Sequence, residues 1–184
     1  MDVAVVQSRR LDLVSMSPEF LSASLDGRRE EAARLLGATL PTDWPGARAE
    51  RSLRRRLEQL ARAPTEQPWL LRGMVLREDP IRPLVGYINF HAPPGSEGWV
   101  EIGYTVLPDH RRRGYAQESV EAMFDWATRN HAIQRFRASV SPNNHASLGL
   151  VRKLRFREIG SQWDEEDGVE LVFELEVWLP KLEN

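Results

Sequence analysis

The stretch from Val106 to Ala116, Val-Leu-Pro-Asp-His-Arg-Arg-Arg-Gly-Tyr-Ala, constrains this chain more than any other. It lies between an apolar, β-branched segment and an amphipathic one, so it reads as a strand end, a tight basic turn and a helix start. A helix N-terminus offers backbone N–H groups without intrahelical partners and the positive end of the dipole. Gly114 lets an anion approach the main chain, and Arg111, Arg112 and Arg113 add charge at the same point. The stretch is therefore built to hold a phosphate.

The flanking sequence places this turn in a mixed architecture. Leu11 to Val14 reads as a strand, and Ser17-Pro18-Glu19 as a helix start with a capping hydroxyl and proline at the first helical position. Helices are expected from Arg28 to Leu36, closed by Gly37, and from Ala47 to Ala63. Three strands follow, Trp69 to Arg77, Leu84 to His91 and Trp99 to Leu107, joined by turns at Glu78-Asp79-Pro80 and Pro93-Pro94-Gly95. A helix from Gly114 to about Asn130 puts Ala116, Val120, Met123, Phe124 and Ala127 on one apolar face. Phe136 to Ser141 is a strand, Asn144 to Arg155 a helix, and Phe156 to Trp163 with Val169 to Trp178 a closing hairpin around the acidic Asp164-Glu165-Glu166-Asp167. A meander followed by βα units predicts a mixed sheet with helices on its faces.

Composition bounds the function. The 184 residues, 41% hydrophobic and 28% charged, suit one soluble domain over 1–184, and no apolar run reaches the ~20 residues that span a bilayer. Met1 to Arg10 lacks the pattern of a secretory signal, so the expected location is the cytoplasm. A net charge of −2 advertises neither nucleic acid nor an anionic membrane. The absence of cysteine removes thiolate metal sites and any acyl-thiol enzyme intermediate. His91, His110, His131 and His145 share no metal-ligand spacing, and no metal is assigned, although His110 could add to phosphate attraction. Neither a P-loop nor a Gly-x-Gly-x-x-Gly fingerprint occurs.

Arg111, Gly114 and Ala116, followed by Asn144-His145-Ala146-Ser147 and Lys153-Leu154-Arg155-Phe156, resemble the two signature segments of the GNAT superfamily, in the expected order and context. Glu101-Ile102-Gly103-Tyr104 before the loop fits as well, and the resemblance is closest to the branch of ribosomal-protein N-terminal alanine acetyltransferases. Arg155 departs from it where the family usually has glycine, at a turn after a helix. The resemblance implies the GNAT acyl-CoA N-acyltransferase fold, of α/β (mixed α+β) class: a central mixed, mostly antiparallel sheet of about seven strands with helices on both faces. It also implies an acetyl-CoA-dependent N-acetyltransferase that releases CoA. The acceptor would be a primary amine, either a peptide or protein N-terminus or a small amine, and a homodimer is left open.

The resemblance assigns cofactor binding to Tyr104, Val106, Leu107, Arg111, Arg112, Arg113, Gly114, Tyr115, Ala116, Asn144 and Ser147, with backbone donors of Tyr104 to Leu107 serving the thioester carbonyl and pantetheine arm. A branched side chain at Gly114 is expected to obstruct phosphate more than it disturbs the fold.

Acetyl transfer needs a neutral amine, a polarised carbonyl and a proton for the departing thiolate. An α-amine has a pKa of about 7.7–8.0 and lysine about 10.4, so a general base matters for both and more for lysine. Strand alternation sets Trp99, Glu101, Gly103 and Thr105 on one face, and Glu101 is the preferred base by resemblance; a solvated sheet face or an arginine pair is the plainer account. Glu118 is second, though the helical wheel groups it with Glu121, Asp125 and Arg129 on a solvated face. Asn144 could simply cap its helix, and Ser147 is also a candidate acid for the sulfur.

The arginines at 48, 51, 54, 55, 56 and 62 make the helix before the sheet basic on its polar side. Interleaved Glu50 and Glu58 favour a solvated amphipathic helix over an RNA surface. Two other readings remain: a catalytically silent acyl-CoA-binding sensor, and an RNA-associated protein.

Overall fold

A computed structural model describes residues 3–165 and 168–180. The chain forms two compact units, Met1–Asn89 with Tyr104–Ser119, and Phe90–Gly103 with Val120–Asn184. Eight strands and five α-helices occur among the described residues, a mixed α/β composition whose strand pairing is mostly antiparallel.

In the first unit, β1 (Val6–Gln7) pairs with β2 (Leu11–Ser15), which pairs with β3 (Arg72–Leu76), which pairs with β4 (Leu84–Phe90), all antiparallel. The two-residue β1 raises the strand number above the expected seven. Helix α1 (Pro18–Leu25) starts where Ser17 accepts a hydrogen bond from the Phe20 N–H, and α2 (Arg29–Leu36) stops at Gly37, whose φ of 66° only glycine adopts without cost.

Helix α3 (Ala47–Arg62) buries Leu53 and Leu60. It also buries Arg56, which was expected on the polar side. Burial, with Arg55 adjacent, pulls the Arg56 pKa down to about 10, and its guanidinium donates to Gln59 Oε1 at 2.6 Å. Pro64 and Pro68 then set a 3₁₀ turn over Pro64–Trp69, so β3 begins at Arg72 and not at Trp69. Phe20, Leu21, Leu53, Leu70, Val75 and Leu84 anchor the core of this unit.

One close approach in this unit bears on the site. A Cβ built on Gly86 of β4 would stand 2.4 Å from the Thr105 carbonyl oxygen and 3.1 Å from the Val106 Cα. Only glycine lets the backbones meet there.

The second unit holds the start of β5 (Trp99–Val106), which runs parallel to β6 (Arg135–Val140). β6 pairs antiparallel with β8 (Gly168–Leu175), and β8 with β7 (Arg157–Asp164). Helix α4 (Tyr115–His131) buries Val120, Met123, Phe124 and Ala127 as its periodicity predicts, while Ala116, expected on the same face, is half-buried. The Phe124 ring lies 3.8 Å from that of Phe136, and Trp178 meets Phe124 edge-on at 5.3 Å. Glu166 and Asp167 of the acidic turn lie outside the described residues.

Helix α5 (His145–Lys153) ends in a turn where Arg155 has a φ of 64°. This is the left-handed conformation, which glycine adopts without cost and arginine does not. Arg155→Gly is expected to raise stability by about 1 kcal/mol, visible as a higher urea midpoint at unchanged slope.

Candidate active site

In the first unit, β5 ends at Val106 and the Leu107 N–H donates to the Val85 carbonyl at 2.9 Å. A single 3₁₀ turn over Pro108–His110 follows, with the Arg111 N–H donating to the Pro108 carbonyl at 3.2 Å. Arg112 at φ 61° and Gly114 at φ 83° then fold the chain into α4. The first helical bond runs from the Glu118 N–H to the Gly114 carbonyl, so the N–H groups of Tyr115 and Ala116 precede the helical ladder.

Arg111 is pinned by its Nε, which donates to the Val106 carbonyl at 3.1 Å, while Arg111, Arg112 and Arg113 all stay exposed. Exposed cations beside a glycine-led helix start fit a diphosphate in charge and in donor type.

Three expectations change at this loop. Burial, then Arg113, holds His110 below its ordinary pKa, which disfavours the charged form that would add to phosphate attraction. Its Nδ1 has no hydrogen-bond partner among the described residues. Glu118 is not solvated: its side chain is 14% exposed, and it accepts from Ser8 Oγ at 2.8 Å and from the Arg10 N–H and Nε at 2.6 and 2.7 Å. Burial alone would raise its pKa, but these bonds outweigh burial and hold it below the usual carboxylate range, which makes it a weak base. Finally, because Gly114 has positive φ, valine there strains the backbone, so Gly114→Val would lower stability along with any binding.

In the second unit, Glu101 is not on an open face, and although Arg137 is its register partner on β6, no ion pair between Glu101 and an arginine occurs among the described residues. The Glu101 side chain is 16% exposed, with Oε1 accepting from Ser139 Oγ at 2.6 Å and Oε2 lying 3.7 Å from His91 Nδ1. Ser139 Oγ in turn accepts from Gln162 Nε2 at 3.0 Å. The parallel ladder of β5 and β6 covers Trp99↔Arg135 to Glu101↔Arg137, leaving Ile102 and Gly103 beyond its last pair. Asn144 caps α5, its Oδ1 accepting from the Ser147 N–H at 3.1 Å; Asn144 is exposed and Ser147 half-buried. Among the described residues, no group of three or more His, Asp or Glu is placed to hold a metal, and no helix is long and apolar enough to cross a membrane.

Sequence reasoning passed over Ser8, Arg10, Ser139 and Gln162. No local signal marks them, since Arg10 meets Glu118 across 108 residues and Ser139 meets Glu101 across 38.

A family model described as an acetyltransferase (GNAT) domain matches residues 10–157. The chain belongs to the GNAT acetyltransferase family. A curated relative, the uncharacterized N-acetyltransferase YoaA of Bacillus subtilis (strain 168), is 33% identical over 90 residues, 49% of this chain and 50% of that protein. The chain thus spans about half the length of the curated relatives it matches.

Among solved structures, the ribosomal-protein-S5-alanine acetyltransferase of Vibrio fischeri aligns at TM-score 0.64 and 13% identity, covering 97% of this chain and all of that one. RimL, a ribosomal L7/L12 α-N-protein acetyltransferase in complex with coenzyme A, aligns at 0.63 and 16%, covering 95% and 98%. At these identities the likeness establishes the fold, which is the GNAT fold.

Proposed function

We propose that this chain acts as a single acetyltransferase domain that moves the acetyl group of acetyl-CoA directly to a primary amine, releasing CoA. The observation that carries this is the loop from Leu107 to Ala116, in which pinned Arg111, left-handed Gly114 and the start of α4 stand together inside the matched family region. Bound acetyl-CoA supplies the activated thioester. Arg111 and the N–H groups from Gly114 to Ala116 hold its pyrophosphate; Arg112, Arg113 and Tyr115 line the same loop; and Tyr104 and Val106 contribute main-chain donors to the carbonyl and pantetheine, whereas the Leu107 N–H, expected among these donors, is taken by the Val85 carbonyl.

The chain has no cysteine to carry the acyl group, so the amine attacks the thioester carbon itself. Glu101, oriented by Ser139, takes the proton from the amine directly or through one water. Asn144 and Ser147 enter on the family pattern, as cofactor contacts and, for Ser147, as a proton donor to the thiolate. A peptide or protein N-terminus is the acceptor favoured by neighbours that act on ribosomal proteins, and the cytoplasm is the corresponding compartment.

Arg111→Ala is expected to weaken CoA by roughly 1.5–3 kcal/mol, the worth of a charge-assisted contact, in calorimetric titration. Equal losses for CoA and dephospho-CoA place the contact at the pyrophosphate. Unchanged affinity defeats the loop assignment, and CoA binding without thiol release across an amine panel would favour a binding module over an enzyme.

A further inference from the structure

The proposed chemistry uses neither Ser8 nor Arg10, yet Ser8 bonds the first turn of α4 and Arg10 bonds both that turn and the basic loop. Besides the bonds of Ser8 Oγ and Arg10 to the Glu118 carboxylate, Arg10 Nη2 lies 2.7 Å from Glu118 Oε2 and donates to the Arg113 carbonyl at 3.0 Å. The Arg10 guanidinium carbon stands 4.6 Å from the Tyr115 ring centroid. A Cβ on Gly114 would come within 3.5 Å of Arg10 Nη2. One side chain therefore reaches the last arginine of the loop, the glycine, and the first turn of α4.

The Arg113 carbonyl belongs to the same planar trans peptide as the Gly114 N–H, and the two point in opposite directions. Holding the oxygen toward Arg10 turns the Gly114 N–H to the opposite side of the loop. Arg10 also cancels a first-turn carboxylate that would otherwise repel an anion at this helix start. The geometry points to Arg10 as a positioning residue for the cofactor's pyrophosphate, acting through the Arg113–Gly114 peptide and itself held by Glu118 and Ser8. This rests on the reading of the loop as the pyrophosphate cradle.

Steady-state kinetics with acetyl-CoA and with S-acetylpantetheine, which keeps the thioester but lacks the pyrophosphate, test it. In Arg10→Ala and Arg10→Lys, KM for acetyl-CoA is expected to rise about tenfold with kcat within about twofold, and kcat/KM for S-acetylpantetheine to stay at the wild-type value. Lysine keeps the charge but cannot bridge the carboxylate and the carbonyl together. Because Arg10→Ala leaves the Glu118 carboxylate without its cation, the Arg10→Ala/Glu118→Ala double variant is measured beside it and is expected to show the same acetyl-CoA defect.

An unchanged KM for acetyl-CoA in the double variant, or an equal loss for both substrates, overturns the inference. A wild-type KM in Arg10→Lys overturns the peptide-orientation role and leaves charge alone. Failure of the wild type to bind CoA in calorimetry is a separate result that removes the cradle itself and this inference with it.

Discussion

Glu101→Gln is expected to lower turnover by ~10²–10⁴-fold, the usual worth of general-base catalysis, while leaving acetyl-CoA affinity nearly intact. Glutamine is isosteric and its oxygen can still accept from Ser139 Oγ, which is 2.6 Å from the carboxylate in the native chain, so little stability is at stake. The defect should shrink at high pH. A base is needed only while the acceptor is protonated, so the ratio of wild-type to variant rate should fall as pH approaches the acceptor's pKa, between about 7.7 and 10.4 for the two amine classes. A constant ratio from about pH 6 to 10 would assign Glu101 to substrate positioning. A normal variant rate would remove it from the chemistry, and the next candidate would be a water held by backbone carbonyls, since Glu118 is committed to Ser8 and Arg10.

Gly86→Ala is expected to cost roughly 3 kcal/mol, at the upper end of the usual overpacking penalty. The new Cβ would meet the Thr105 carbonyl oxygen at 2.4 Å, and a main-chain oxygen cannot rotate aside as a side chain does. Relief requires the end of β5 to move, and Tyr104 and Val106 there are proposed to present backbone donors to the cofactor. The urea midpoint should therefore fall and CoA affinity should fall with it. A variant with the wild-type midpoint would show that the two backbones separate at little cost. One that lost stability but bound CoA normally would detach this contact from the cofactor segment.

Local features were legible in the sequence because the physics that sets them is local. The Ser17 cap, the Gly37 stop, the strand-to-helix loop at Arg111 to Gly114 and the glycine-like turn at Arg155 each depend on a few consecutive residues. What escaped depended on distant partners. A helical wheel knows only its own helix, so it grouped Glu118 with solvated acids and Arg56 with surface arginines, whereas the chain near Arg10 and the surroundings of α3 decide both. The environment of Glu101 required the parallel register of β5 and β6, which sets Glu101 beside Arg137 and brings Ser139 within reach. Strand alternation could choose the face of Glu101, but not its neighbours.

The tie between Arg10 and the Arg113 carbonyl has a thermodynamic consequence that runs in both directions. If docking of the Ser8–Arg10 turn favours the ligand-competent peptide orientation, then occupancy of the loop must favour docking by the same coupling free energy. The segment between β1 and β2 would then report on the ligand from more than a hundred residues away in sequence. Its backbone amides, the Arg10 N–H among them, would exchange with solvent more slowly once the cofactor is bound, although the cofactor need not touch them.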